Sequence, residues 1–162
     1  MLIHLIQHGA CLPKELDPTQ PLSPVGREQV EKTANAARIL GLSFELVVAS
    51  PKVRSIQTAE IIAEYTGYPT DRIEVTEAVK AMAPASTTLD FIREYDGLDS
   101  ILIAGHLPSL GNIASQILTQ SSSLEIGIEN SGLMQLDVTF PKNKGVLNWY
   151  LTPAQLAEIA KD

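Results

Sequence analysis

His8, His106 and Arg54 are the residues of this sequence best suited to chemistry. Each follows a short apolar run. Leu2–Ile6 precedes Gln7-His8-Gly9, Leu46–Ala49 precedes Ser50-Pro51-Lys52-Val53-Arg54, and Ile101–Ala104 precedes Gly105-His106-Leu107-Pro108. Such runs, stopped by polar residues, glycine or proline, read as buried strands of a parallel sheet. Ligands of open α/β sheets bind just beyond the carboxyl ends of those strands. Two imidazoles and a guanidinium are therefore expected along one edge of one sheet, and that set suits a phosphoryl group. A neutral imidazole can attack phosphorus, and a guanidinium offers phosphate oxygens a planar fork of donors. A second imidazole can donate to a non-bridging oxygen. Helix N-termini behind Ser50 and His106 would add backbone N–H groups and positive dipole ends. Gly9 lets the chain turn tightly and a ligand approach closely.

Rival uses of these side chains fit less well. The one His-x-x-x-His spacing, His4 to His8, has His4 within the first apolar run, and Arg54 would repel a cation. No metal site is expected. A Cys-x5-Arg phosphate loop also fails, because six residues after Cys11 stands Asp17. Cys11 reads as a small loop or packing residue.

The elements that would position the site follow from periodicity and punctuation. After the first strand, residues 10–22 form a loop containing Pro13, Asp17, Pro18 and Pro21, a length that is often functional. Ser23-Pro24 reads as an N-cap and first helical residue, with Val30, Ala34, Ala37 and Leu40 on one face and Gly41 as the stop. A helix opening at Ser50-Pro51 runs to about Tyr65. Ile73–Val75 is a short third strand, and residues 77–86 form an irregular loop. Ser86 or Thr87 caps a helix to about Tyr95, Thr87 with Asp90 resembling a capping box. Pro108 opens a helix to about Leu118. Leu133–Val138 and Val146–Tyr150 read as a hairpin around Lys142–Gly145, and Thr152-Pro153-Ala154-Gln155 starts a last helix. Alternating strands and helices predict an α/β fold with helices on both faces of a mostly parallel sheet, the hairpin adding one antiparallel strand. The whole chain, 1–162, reads as a single domain without repeats.

Composition excludes several classes. Net charge is −7, whereas a nucleic-acid binder carries a basic face; no nucleic acid is expected. No apolar run approaches the ~18 residues of a membrane span, and no signal peptide is expected. One cysteine forbids an internal disulfide and suits a reducing cytoplasm. An acidic protein that handles an anion must concentrate its few cations in one place.

With these residues in view the sequence resembles the histidine phosphatase superfamily, which includes the phosphoglycerate mutases. That superfamily carries Arg-His-Gly after the first strand, Ser-Pro-x-x-Arg-x-x-Gln-Thr after the second, and a later Gly-His. Here the counterparts are Gln7-His8-Gly9, Ser50 to Thr58, and Gly105-His106. The short length, Pro21-Leu22-Ser23-x-x-Gly26, His-Leu-Pro and the Asn148 to Pro153 ending resemble the compact SixA-type phosphohistidine phosphatases. The resemblance implies a three-layer αβα, phosphoglycerate mutase-like fold. It also implies in-line phosphoryl transfer to His8, hydrolysis of that intermediate, Arg54 as the phosphate clamp and His106 as a stabiliser of its oxygens. No metal or organic cofactor is implied.

Two departures stand out. Gln7 replaces the arginine of the first motif, and Gln20 stands where SixA-type sequences tend to carry another. Glutamine keeps a donor but loses the charge and the fork, which leaves Arg54 as the one family-matched cation; Lys80 and Lys14 are possible substitutes. Glu77 lies where related enzymes place an acidic residue, and reads equally as a general acid or a solvated loop glutamate. Three functions stay open: a cytoplasmic phosphatase of protein phosphohistidine, a small-molecule phosphomonoesterase, and a weak or non-catalytic module that binds phosphorylated groups.

Overall fold

The computed structural model describes residues 1–161. In chain order the elements are β1 (Leu2–Gln7), α1 (Pro24–Ile39), β2 (Leu46–Ala49), α2 (Val53–Thr66), β3 (Glu74–Val75), α3 (Ala85–Arg93), β4 (Ser100–Gly105), α4 (Ser109–Thr119), β5 (Leu133–Thr139), β6 (Lys144–Leu151) and α5 (Pro153–Ile159). They build one sheet of order β3-β2-β4-β1-β5-β6. β1, β2, β3 and β4 pair in parallel, while β5 pairs antiparallel with both β1 and β6. β5 is thus the one strand that opposes the other five, as the hairpin predicted.

The two sheet faces are covered by different helices, which makes three layers. Ile3, Leu5, Ile101 and Ile103 pack against Leu89 and Ile92 of α3 and Leu110, Ile113 and Ile117 of α4. Ile6, Val47, Leu102 and Ala104 pack against Val30 and Ala34 of α1, Ile61 and Ile62 of α2, and Leu156 of α5. The central strands are apolar on both sides because both sides are buried. His4 is the polar exception and belongs to the core. Its Nδ1–H donates to the Ile101 carbonyl at 3.0 Å and its Nε2 accepts from the Gln135 amide at 2.9 Å. One neutral tautomer is therefore held in place.

Several boundaries differ from the sequence expectation. α2 begins at Val53, with Lys52 rather than Ser50 at its N-cap. α3 begins at Ala85 behind Pro84, and no side chain caps it. The Thr87–Asp90 box does not form: Thr87 lies inside the first turn of α3, and Asp90 instead accepts from Arg93. Within residues 77–86, Glu77–Val79 make one 3-10 turn capped by Thr76. The hairpin turn is tighter than expected, since β6 already starts at Lys144.

The 10–22 loop is anchored at both ends of its span. Cys11 and Leu22 form an isolated antiparallel bridge, and the Leu22 N–H donates to Gln57 Oε1 of α2 at 2.7 Å. Its first residues lie directly on α1, where a Cβ at Gly26 would sit 1.9 Å from the Ala10 carbonyl oxygen. Gly26→Ala must therefore push the loop and helix apart. We expect a loss of about 1–3 kcal/mol or more in urea unfolding, together with lower activity, because Ala10 follows the His8-Gly9 turn. A variant of wild-type stability would show that this contact relaxes freely.

Candidate functional site

His8 is the first residue past β1, and its backbone is fixed on both sides. Its N–H donates to the Gly105 carbonyl at 3.0 Å, continuing the β1–β4 ladder. Its carbonyl accepts from Asn130 Nδ2 at 2.8 Å. The next N–H, of Gly9, donates to Thr58 Oγ1 at 3.2 Å. The His8 ring is oriented by a hydrogen bond of 2.7 Å between Nδ1 and the Gly9 carbonyl. A carbonyl oxygen only accepts, so Nδ1 carries the proton and Nε2 keeps its lone pair. Arg54, in the first turn of α2, points its Nε–H at that Nε2 from 3.4 Å.

His106 completes the group. Its ring lies 4.9 Å from that of His8, centroid to centroid and edge to face. It is 4% exposed, and its Nε2 is held by Ser50 Oγ at 2.9 Å and Ser55 Oγ at 3.1 Å. The three strand ends therefore do converge. A cleft of about 230 Å3 opens beside them, lined by Ser50, Lys52, Arg54, Lys80, Ala81, Met82 and His106. An adjoining cleft of about 410 Å3 shares Lys52 and Arg54 and adds Lys14, Thr19 and Gln20.

The other expected site residues are placed differently. Gln7 donates through Nε2 to the Ile128 carbonyl at 2.7 Å and lines a separate cavity with Ala10, Gln29, Glu129 and Asn130. Gln20 lies beside Arg54 in the adjoining cleft, with its amide 3.4 Å from the Leu12 carbonyl and its backbone at φ 46°. Gly9 is needed for packing more than for ligand approach: a Cβ there would meet Val30 Cγ2 at 2.6 Å and the Gly26 carbonyl at 2.9 Å. Glu77 is exposed and paired with Lys80 at 2.9 Å. Among the described residues no cluster of three or more His, Cys, Asp or Glu side chains could hold a metal ion.

Sequence reading overlooked the supporting residues. Ser50 and Ser55 bracket His106, Asn130 holds the His8 carbonyl, and Thr58 holds Gly9. The signal for Ser50, Ser55 and Thr58 lay inside the Ser-Pro-x-x-Arg-x-x-Gln-Thr stretch itself. Asn130 stands in an irregular segment without any periodic or motif signal.

Burial favours the neutral form of the His8 and His106 rings. It lowers the His8 pKa below the usual imidazole value; the Gly9 hydrogen bond opposes this, and the Arg54 charge adds to it. Burial first, then the charges of His8, Arg54 and Lys52, lower His106 to about 4. His4 is likewise lowered by burial. For a base whose folded pKa is depressed, the unfolded chain binds more protons across the interval between the two values. Stability is then fully present above about pH 6.5 and falls as pH drops toward the folded pKa. We expect the ring C–H signals of His106 to titrate near pH 4 and those of His8 below 6.5 in a proton NMR titration, with stability declining over the same range. A His8 midpoint above 6.5 would contradict the ring's burial beside Arg54.

The family model of the Histidine phosphatase superfamily (branch 1) matches residues 3–82, a span that contains both His8 and Arg54. Over that span, just short of half the chain, the sequence matches the histidine phosphatase superfamily. It is 23% identical to the phosphohistidine phosphatase SixA of Escherichia coli (strain K12), over 96% of each chain. Among solved structures, that of the protein histidine phosphatase SixA complexed with tungstate superposes with a TM-score of 0.83 at 21% identity, covering 96% of this chain and 99% of that one. A phosphoserine phosphatase mutant from Entamoeba histolytica, in complex with phosphoserine, gives 0.73 at 16% identity, covering 96% and 98%. These likenesses establish the α/β, phosphoglycerate mutase-like fold. One fold thus carries enzymes named for different phosphorylated groups, and substrate choice has to be argued from the site. None of the helices among the described residues is long and apolar enough to cross a membrane.

Proposed function

We propose that this protein is a metal-independent phosphatase that takes a phosphoryl group from phosphohistidine on a partner protein, passes it through His8 and releases it to water in the cytoplasm. The observation that carries this reading is the Nδ1–H···O=C bond from His8 to Gly9, which leaves Nε2 unprotonated and beside Arg54. In the first step the Nε2 lone pair attacks phosphorus, the bond to the substrate imidazole breaks, and that imidazole takes a proton from solvent. In the second step water attacks, the His8–phosphorus bond breaks, and the water proton is lost as phosphate departs. Arg54 and His106 hold the equatorial oxygens in both steps.

The surroundings of Glu77 favour phosphohistidine over an alcohol ester. Its carboxyl is held below the usual glutamate range by the hydrogen bond and charge of Lys80, so at neutral pH it has no proton to give. An alkoxide leaving group needs such a proton, whereas an imidazole is protonated by solvent near neutrality. Gln7 and Gln20 favour the alternative of a slow or non-catalytic module, because they leave fewer cations for the phosphate. Incubation with a phosphohistidine protein labelled on phosphorus, quenched in alkali, tests the choice. Label recovered on the His8 peptide is the expected result; substrate binding with neither label nor phosphate release would leave only the binding module.

A further inference from the structure

We propose that Lys80 is the second phosphate-binding cation of this site and that Glu77 competes with the phosphoryl group for it. The inference rests on the site being a phosphoryl pocket. In the free protein Gln7 supplies no charge, one of its two Nε2–H groups is engaged by the Ile128 carbonyl, and it lines a cavity other than the Arg54–His106 cleft. Three chain segments line the cleft beside the catalytic rings: Ser50 to Arg54, His106, and Lys80 to Met82. Lys52 and Arg54 come from the same wall. Lys80 brings positive charge from a different one, so a dianion between them would be held from two sides.

The position of Lys80 is fixed while its side chain is free to move. Its N–H donates to the Glu77 carbonyl at 3.1 Å, its neighbour Val79 is fully buried, and Thr88 holds the Ala78 carbonyl. Beyond that anchor the lysine stem is long and flexible, and the side chain is 47% exposed. Its ammonium donates to Glu77 Oε1 at 2.9 Å, and the glutamate is 80% exposed. An exposed pair three residues apart contributes little, so a phosphoryl dianion can draw the ammonium away. Lys80 lines both the cleft that holds Glu77 and the cleft that holds Arg54 and His106. It needs only to exchange one anionic partner for another. Glu77 is on this account a competitor that sets affinity and donates no proton.

Vanadate titration of the full chain, followed by fluorescence of Trp149 or by calorimetry, tests this without requiring turnover. Lys80→Met should weaken vanadate binding about tenfold, the loss of one charged hydrogen bond. Lys52→Met, a rim charge on the Arg54 wall, should cost less. Glu77→Gln should tighten binding about twofold to threefold, and that gain should vanish in the Lys80→Met background. Both side chains are exposed, and circular dichroism verifies that each variant folds. The proposal is overturned if wild type binds vanadate and Lys80→Met binds it equally well, or if Glu77→Gln tightens binding as much without Lys80. It is also overturned if Glu77→Gln abolishes turnover at unchanged vanadate affinity, the signature of a general acid. Wild type that binds no vanadate would instead sink the phosphoryl reading of the site.

Discussion

His8→Ala should fold normally, bind vanadate, and hydrolyse no phosphohistidine. The expected loss of turnover is on the order of 10^4-fold or more, as for other enzymes whose nucleophile is removed, and no label should be trapped on the protein. Folding should survive because the ring lies past the end of β1 and bonds only to the adjacent Gly9 carbonyl and to Arg54. The hydrogen bonds that hold this turn run through the His8 N–H and carbonyl and through the Gly9 N–H, and alanine keeps them all. Circular dichroism and urea unfolding check the fold, and quenched-flow trapping checks the intermediate. A folded His8→Ala protein with full activity would eliminate the covalent route proposed here.

Arg54→Ala should lower kcat about 10^2- to 10^3-fold, the cost of removing a donor aimed at developing negative charge, and should weaken vanadate binding as well. The two effects belong together because a phosphate clamp touches ground state and transition state alike. Arg54→Lys should recover only part of the rate, since an ammonium replaces a planar fork by a point charge. The substitution also has a signature away from catalysis. Arg54 is one of the groups that lower the His8 pKa, so Arg54→Ala should move the His8 titration upward toward 6.5. Steady-state kinetics and the NMR titration measure the two separately. Full rescue by lysine, or an unmoved His8 titration, would show that Arg54 does not face Nε2 in solution.

The outline of this site was legible because its information is local. His8, Arg54 and His106 each follow a strand that can be recognised from a few apolar residues, and parallel strands deliver their carboxyl ends to one edge. Ser23-Pro24 and Thr152-Pro153 announced the starts of α1 and α5 for the same reason: a cap hydroxyl and an N1 proline act within one turn. The expected cap of α3 failed because the helix already starts at Ala85 behind Pro84, which leaves Ser86 and Thr87 inside its first turn.

The residues that support the site could be read only from the folded chain. Asn130 reaches the His8 carbonyl across 122 positions, and Gln7 reaches Ile128 across 121. Ser50 and Ser55 meet His106 from more than 50 positions away. Hydrogen bonds of this kind depend on where two remote backbones lie once the sheet is formed, and side-chain type alone does not determine that. Glycine makes the same point: Gly9 reads as an opening for ligand, yet the space beside it is filled by Val30 and the Gly26 carbonyl. The sequence by itself determined which groups could act on phosphorus and at which strand ends they stand. Tertiary structure alone decided the His8 tautomer, the neutrality of His106 and which cations face the cleft, because desolvation and hydrogen-bond partners exist only after remote segments pack together.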